Sequence, residues 1–248
     1  MTTSIPVSAR VWLILVVLAS AVASFAATPQ RSVARLGDDE RVTEPYAGWY
    51  GAVVTMDATG VLWAALEHMT GQGGQMHLYR SRDAGKSWTF AFSTAAGWGC
   101  SPTDVVVLND EHGTPRFVVV SILSVYPSVF RWESWVVVYD IADGIHTHEF
   151  LSSSDAGTGP IDLAVDRVPG FDETVYAAFR RGYPANDYVV SRLDPQTQSW
   201  SPLVTIGAGA AEDVALASHD GVVHFFYPDG ATLYHRTSPD SALTWSDP

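Results

Sequence analysis

The chain has 248 residues, a formal net charge of −13, 17% charged residues and 12% aromatic residues. An acidic, aromatic-rich, charge-poor composition belongs to a chain that buries a core and excludes a disordered one. No basic stripe is present to neutralise phosphates, which excludes nucleic acid and anionic membrane surfaces as partners.

The first predicted element is a leader. Arg10 supplies a positive start and Val11 to Ala26 is apolar, with Trp12-Leu13-Ile14-Leu15-Val16-Val17-Leu18 at its centre. Ala21-Val22-Ala23 offers a small-x-small cleavage site, and Ser24-Phe25-Ala26 a second. The run is short and soon followed by polar residues. Residues 1–26 therefore read as a secretory signal peptide, with an uncleaved anchor as the alternative. The expectation is a secreted or periplasmic/extracellular protein with no membrane attachment after cleavage. Residues 27–45 are polar and acidic, and read as a linker or as a strand that closes a ring elsewhere.

From Tyr46 onward the chain repeats one unit: an inner strand, a turn, a second strand, a loop, a third strand and a hairpin. The first copy runs from Gly51 to Asp57, then Val61 to Leu66, then Met76 to Arg80. The second has Asp104 to Leu108, Arg116 to Val120 and Trp135 to Asp140. The third has Asp162 to Asp166, Thr174 to Phe179 and Tyr188 to Asp194. The fourth has Asp213 to Ala217, Gly221 to Phe226 and Thr232 to Arg236. The copies occupy approximately 46–92, 100–150, 160–204 and 211–248. The inner strands are almost wholly apolar, as strands covered on both faces are. Helix-period segments are absent after the leader.

Two hairpins carry the same pattern. The first is Ser81-Arg82-Asp83-Ala84-Gly85-Lys86-Ser87-Trp88, and the second is Ser238-Pro239-Asp240-Ser241-Ala242-Leu243-Thr244-Trp245. Asp is short enough to fold its carboxylate onto nearby backbone N–H groups. Gly permits positive φ, and Trp starts the departing strand with a large apolar body. Ala242 stands where the first copy has Gly85, so a looser turn is expected there.

This pattern resembles the Asp-box, or BNR repeat, found in sialidases, other glycoside hydrolases, sortilin-type receptors and non-catalytic assembly factors. The resemblance implies an all-β fold, a β-propeller of four-stranded antiparallel blades. About four blades are expected, forming an incomplete ring. The alternative is that residues near Val33 to Val42 close a small ring, and a Greek-key sandwich is the structural runner-up. The family places its box away from the ligand face, so Ser81, Asp83, Gly85, Trp88, Ser238, Asp240 and Trp245 are expected to be structural.

A ligand face is expected where loops enter the inner strands and where second strands pass to third strands. Asp104, Asp162 and Asp213 precede inner strands and are the catalytic candidates. The same residues also read as simple caps of the backbone turn. Glu67, His68, Tyr126, Arg131, Trp132, Arg180, Arg181, Tyr183 and Tyr227 lie at the other loops and are the ligand-binding candidates. Aromatic rings stack on sugar faces, arginine forks bind carboxylates, and paired carboxylates perform acid–base work. The recurring Tyr126-Pro127, Tyr183-Pro184 and Tyr227-Pro228 also fit turn chemistry.

The resemblance to sialidases implies three arginines on the substrate, one in an Arg-Ile-Pro motif, with a Tyr/Glu pair and an Asp acid–base. Glu40-Arg41-Val42-Thr43-Glu44-Pro45 only echoes that motif, so no catalytic role is carried over. Two functions stay open: a secreted module that binds a glycan or an extracellular protein, and a sialidase-like exo-glycosidase or a fragment of one.

Other chemistry finds little support. Cys100 is the only cysteine, which excludes an intrachain disulfide and reads as a half-buried structural thiol. His146-x-His148 lacks a neighbouring ligand cluster and reads as a solvated loop. Asn109 to Gly113 is too short for a calcium loop. Gly71-Gln72-Gly73-Gly74 opens no helix, so it is not a phosphate loop. No cofactor and no metal are expected.

Overall fold

A computed structural model describes residues 52–70, 73–94, 100–126, 131–154, 158–167, 172–209 and 213–248. The expected leader and the segment 27–45 lie outside the described residues. Every described element is a strand, and all strand pairs are antiparallel.

The strands form four sheets that follow one another along the chain. Blade one contains β1 (Ala52–Met56), β2 (Leu62–Thr70), β3 (Gly73–Ser81) and β4 (Thr89–Ser93). Blade two contains β5 (Cys100–Asn109), β6 (Pro115–Tyr126), β7 (Arg131–Asp140) and β8 (His146–Ser154). Blade three contains β9 (Asp162–Asp166), β10 (Thr174–Arg181), β11 (Asp187–Asp194), β12 (Ser199–Trp200) and β13 (Val204–Ala208), with both β12 and β13 on β11. Blade four contains β14 (Ala215–His219), β15 (Val222–Asp229) and β16 (Thr232–Ser238). The innermost strands pack in succession, β1 on β5, β5 on β9 and β9 on β14. This is a β-propeller, and among the described residues its ring is not closed.

Each seam between blades has an apolar centre. Trp63, Ala65, Met76, Leu78 and Phe92 of blade one meet Val105, Val118, Val120, Ile122 and Val137 of blade two. Phe117, Val119, Val136 and Val138 meet Leu163, Val175, Ala177 and Phe179 at the next seam. Tyr176, Tyr188 and Val190 meet Val223, Phe225 and Tyr227 at the third. The seams are rich in β-branched and aromatic residues because period-2 alternation sends every second side chain to one face of a blade. Each fully buried large side chain contributes about 1.5–3 kcal/mol.

Polar links fasten the seams at both ends. At the turn end, the Asn109 backbone N–H and side-chain amide donate to the two oxygens of Glu173, at 2.8 and 2.9 Å. Gly221 N–H donates to Asp166 at 3.2 Å. At the loop end, Thr103 Oγ1 donates to the Ile161 carbonyl at 3.0 Å and accepts from Ile161 N–H at 3.2 Å. A register shift between Pro102 and Asp104 sets Thr103 out of the ladder for this purpose.

The two patterned hairpins are closed by identical networks. Asp83 accepts from Ser81 Oγ at 2.8 Å, from Ser87 N–H at 2.9 Å and from Ser87 Oγ at 2.6 Å. Asp240 accepts from Ser238 Oγ at 2.8 Å, from Thr244 N–H at 2.8 Å and from Thr244 Oγ1 at 2.6 Å. Gly85 and Ala242 each donate N–H to the leading serine at 2.9 Å. The looser second turn expected from Ala242 is therefore corrected. Ala242 takes φ of 67° beside Ser241 at 60°, and its methyl is buried in the third seam. Packing holds a left-handed alanine that local preference disfavours. His146 and His148 also differ from expectation, since both lie on β8, where His146 stacks on Phe92 with ring centroids 4.4 Å apart.

Candidate ligand face

The first catalytic candidates are bound into the seams. Asp104 accepts from its neighbour Val105 N–H at 2.7 Å and, across the seam, from Leu163 N–H at 2.9 Å. Asp162 repeats the contact one blade on, accepting from Leu216 N–H at 2.5 Å. Each carboxylate thus replaces a missing ladder partner for the next inner strand. Burial raises both carboxyls, and Asp104 adds repulsion that brings Asp162 to about 6. Asp213 does not share this position. The register equates Asp104 and Asp162 with Ala215, because each stands one residue before the donor-bearing Val105, Leu163 or Leu216. Asp213 lies two residues upstream and is exposed.

The loop-end candidates differ from blade to blade in what they meet. On blade one, Glu67 is buried and accepts from Ser101 Oγ at 2.5 Å, so it joins blade two instead of facing a ligand. His68 Nδ1 lies 3.2 Å from His77 Nε2. On blade two, Tyr126 and Arg131 pair at the ends of β6 and β7. Exposed Arg131 forms an ion pair with Glu133, Nε to Oε1 2.9 Å, and the other Glu133 oxygen accepts from Trp135 Nε1–H at 2.9 Å. Trp132 beside them is half-buried.

On blade three, Arg181 makes a two-pronged bond to Asp187 at 2.8 and 2.5 Å. Hydrogen bonding to that carboxylate raises the Arg181 guanidinium, and the same bond lowers the Asp187 carboxyl. Arg180 donates to the Gly209 carbonyl at 3.1 Å and to Asn186 Oδ1 at 2.8 Å. Tyr183, joined to Pro184 by a cis peptide, is 60% exposed. Tyr227 is different. It is buried between Tyr188 and Phe225 within the third seam, and Pro228 continues β15. The third Tyr-Pro pair therefore belongs to the core and not to a loop.

Arg131, Arg180 and Arg181 are thus all engaged by acceptors of their own blade. Such groups offer adjacent donors and acceptors, which suits sugar hydroxyls; the charges of Arg131 and Arg181 are matched by Glu133 and Asp187, while Arg180 meets only the neutral oxygens of Gly209 and Asn186. The Glu133–Trp135 link and the Arg180 bond to Gly209 were invisible to sequence reasoning, because their spacing depends on which residues share a strand face. Among the described residues no group of three His, Cys, Asp or Glu side chains could hold a metal ion. A cavity of about 80 Å³ lies at the opposite, turn end of the inner strands, between Met56, Asp57, Asn109 and Arg167. That is well below the roughly 300–1,000 Å³ of small-molecule sites.

No protein-family model matches the sequence, and no curated protein matches it. Solved structures do match in fold. One is the α-L-arabinanase of Penicillium chrysogenum complexed with arabinobiose, with a TM-score of 0.52 and 13% identity over 80% of this chain and 66% of that one. Another is the α-L-arabinofuranosidase Arb93A of Fusarium graminearum with an iminosugar inhibitor, with a TM-score of 0.50 and 15% identity over 78% of this chain and 63% of that one. The chain spans less than two thirds of the length of either enzyme. At such identity the likeness is one of fold.

Proposed function

We propose that this chain is an exported propeller of the Asp-box type that binds a neutral glycan on its loop face. The observation that carries the reading is the pairing of Arg131, Arg180 and Arg181 with acceptors on their own blades, beside Trp132 and the exposed Tyr183. Aromatic faces and paired polar groups recognise hydroxylated rings without needing charge on the ligand. The net charge of −13 repels anionic sugars and favours the same class. The arabinobiose seen in the Penicillium enzyme makes a neutral pentose oligomer a first ligand to try.

A glycosidase is the second reading, and one feature favours it. Asp162, raised to about 6 beside Asp104, has the poise of a general acid. Against it, both carboxylates hold backbone N–H groups of the next strand. Titrating the protein with arabinobiose and a panel of neutral and sialylated oligosaccharides, read by tryptophan fluorescence and calorimetry, separates the two. A binder saturates with a neutral sugar, loses about tenfold or more in affinity on Trp132→Ala or Tyr183→Ala, and releases no product. Turnover abolished by Asp162→Asn would establish the hydrolase instead. Preference for sialylated ligands would defeat the neutral-glycan reading.

A further inference from the structure

Blades two and three carry an acid at one matched position. Asp104 and Asp162 hold the next inner strand in the same way, and they pair with Ser121 and Ala178 of the second strands. Three residues further along those strands stand Ser124 and Arg181, whose third-strand partners are Glu133 and Asp187. Alternation sets Glu133 on the side of β7 that carries Trp135 and Val137, which pack in the first seam. It sets Asp187 on the side of β11 that carries Val189, which packs in the second. The two acids therefore stand at the loop ends of successive seams. In blade four the same steps from Ala215 reach the neutral Thr232. Aligning the hairpin serines Ser81 and Ser238, opposite Leu62 and Val223, puts the neutral Gln75 there in blade one.

Both acids are met by an arginine and by one further donor. Arg131 pairs with Glu133 Oε1, and Trp135 Nε1–H donates to Oε2. Arg181 bonds both oxygens of Asp187, and Thr205 Oγ1 donates to Oδ2 at 3.2 Å. The arginines arrive by different routes. Arg181 lies opposite its acid on β10, whereas Arg131 lies two residues before its acid on β7. A pair within one strand joins no two strands, so strand pairing does not account for it. In each pair the arginine is outermost, with side chains 48% and 29% exposed over carboxylates 11% and 14% exposed. Each guanidinium keeps N–H groups, and each carboxylate keeps a lone pair, beyond those already used. The ligand that fits donates from one hydroxyl and accepts at the next, which is the chemistry of a vicinal diol.

We propose that the loop face holds two like subsites, one at the first seam and one at the second, and that each takes the vicinal diol of one neutral sugar unit. One hydroxyl donates to Glu133 or Asp187, and its neighbour accepts from Arg131 or Arg181. The inference rests on the neutral-glycan reading and deepens it: the ligand is a glycan that presents the same unit more than once, because matched positions take like units.

The test is calorimetry on the full chain with single-unit probes, the methyl glycosides of arabinofuranose, galactose, mannose and glucose. The glycoside that binds should fill two sites per chain. Its 3-deoxy analogue, which has no vicinal pair of ring hydroxyls, should bind about tenfold or more weakly at both. Glu133→Gln and Asp187→Asn should each leave one site at unchanged affinity, and that surviving site reports that the variant is folded. The double variant should leave none. Arg131→Ala and Arg181→Ala should repeat the single losses without touching the buried acids. If the wild-type chain binds none of the four, the neutral-glycan reading fails and this inference with it. One site per chain, single variants that each keep two sites, a single variant that removes both sites from a folded chain, or a 3-deoxy analogue bound equally well would overturn this inference alone.

Discussion

Replacing Asp162 by Asn tests whether the inner-strand aspartates serve as links between blades. Asp162 accepts the Leu216 N–H across the third seam while burial and nearby Asp104 raise its carboxyl to about 6. In the unfolded chain the same group titrates near 3.8. The folded value is the higher one, so folding disfavours the ionised form. The contribution of the neutral group is full below about 3.8 and is lost as pH rises through about 6. A shift of roughly two units corresponds to about 3 kcal/mol at pH 7.5. Asparagine removes that penalty and keeps an oxygen to accept from Leu216, at a weaker, uncharged bond that gives back about 1 kcal/mol. Asp162→Asn should therefore stabilise the protein by about 2 kcal/mol at pH 7.5, on the order of 1 M in the urea midpoint. At pH 4 the gain should vanish. Urea unfolding followed by tryptophan fluorescence at both pH values measures it. Destabilisation by more than about 1 kcal/mol at pH 7.5 would refute the reasoning, because it would mean that the fold favours the charge.

Glu173→Ala should destabilise by roughly 1–3 kcal/mol in the same assay, because it strips both acceptors from the Asn109 backbone N–H and side-chain amide; a neutral result would show that the turn-end link is replaceable by water. Phe225→Ala should cost about 3–5 kcal/mol, since the ring is fully buried in the third seam; a cost below 1 kcal/mol would mean that blade four packs differently. Cys100, whose thiol burial pushes up to about 12, should resist a thiol reagent in the native protein and react only at the rate of unfolding; fast labelling would contradict its place in the first seam. Asp83 and Asp240, held at about 2 by hydrogen bonds from Ser87 and Thr244, have depressed folded values. Their contribution is present above about 3.8 and lost as pH falls toward 2, so thermal stability should decline below about pH 4; a flat acid limb would show that the hairpin networks contribute little.

Blade architecture was legible because apolar alternation, turn residues and the duplicated hairpin all repeat on one period. The folding of the Asp83 and Asp240 carboxylates onto their own turns was legible in the hairpin pattern, since their partners lie within four residues. The ligand face was harder to read. Whether Asp104 caps its own turn or the next blade depends on a partner 59 residues away, and only the packed seam brings Leu163 to it. Asp213 looked equivalent by sequence and is displaced by two positions, because the approach to the fourth inner strand differs in length. Tyr227-Pro228 matched two loop dipeptides in sequence, yet β15 runs through it, so burial overrode turn chemistry. Ala242 was misjudged for a related reason: the third seam holds its backbone in a conformation that local preference disfavours.

The most direct measurement is a crystal structure with a neutral oligosaccharide bound, starting from arabinobiose. The account places the sugar on the loop face, with a ring against Trp132 or Tyr183 and hydroxyls meeting the Arg131–Glu133 or Arg181–Asp187 pairs. Sugar bound only at the turn end, near Asn109 and Arg167, or seated between Asp104 and Asp162 with their links to Leu163 and Leu216 broken, would contradict it.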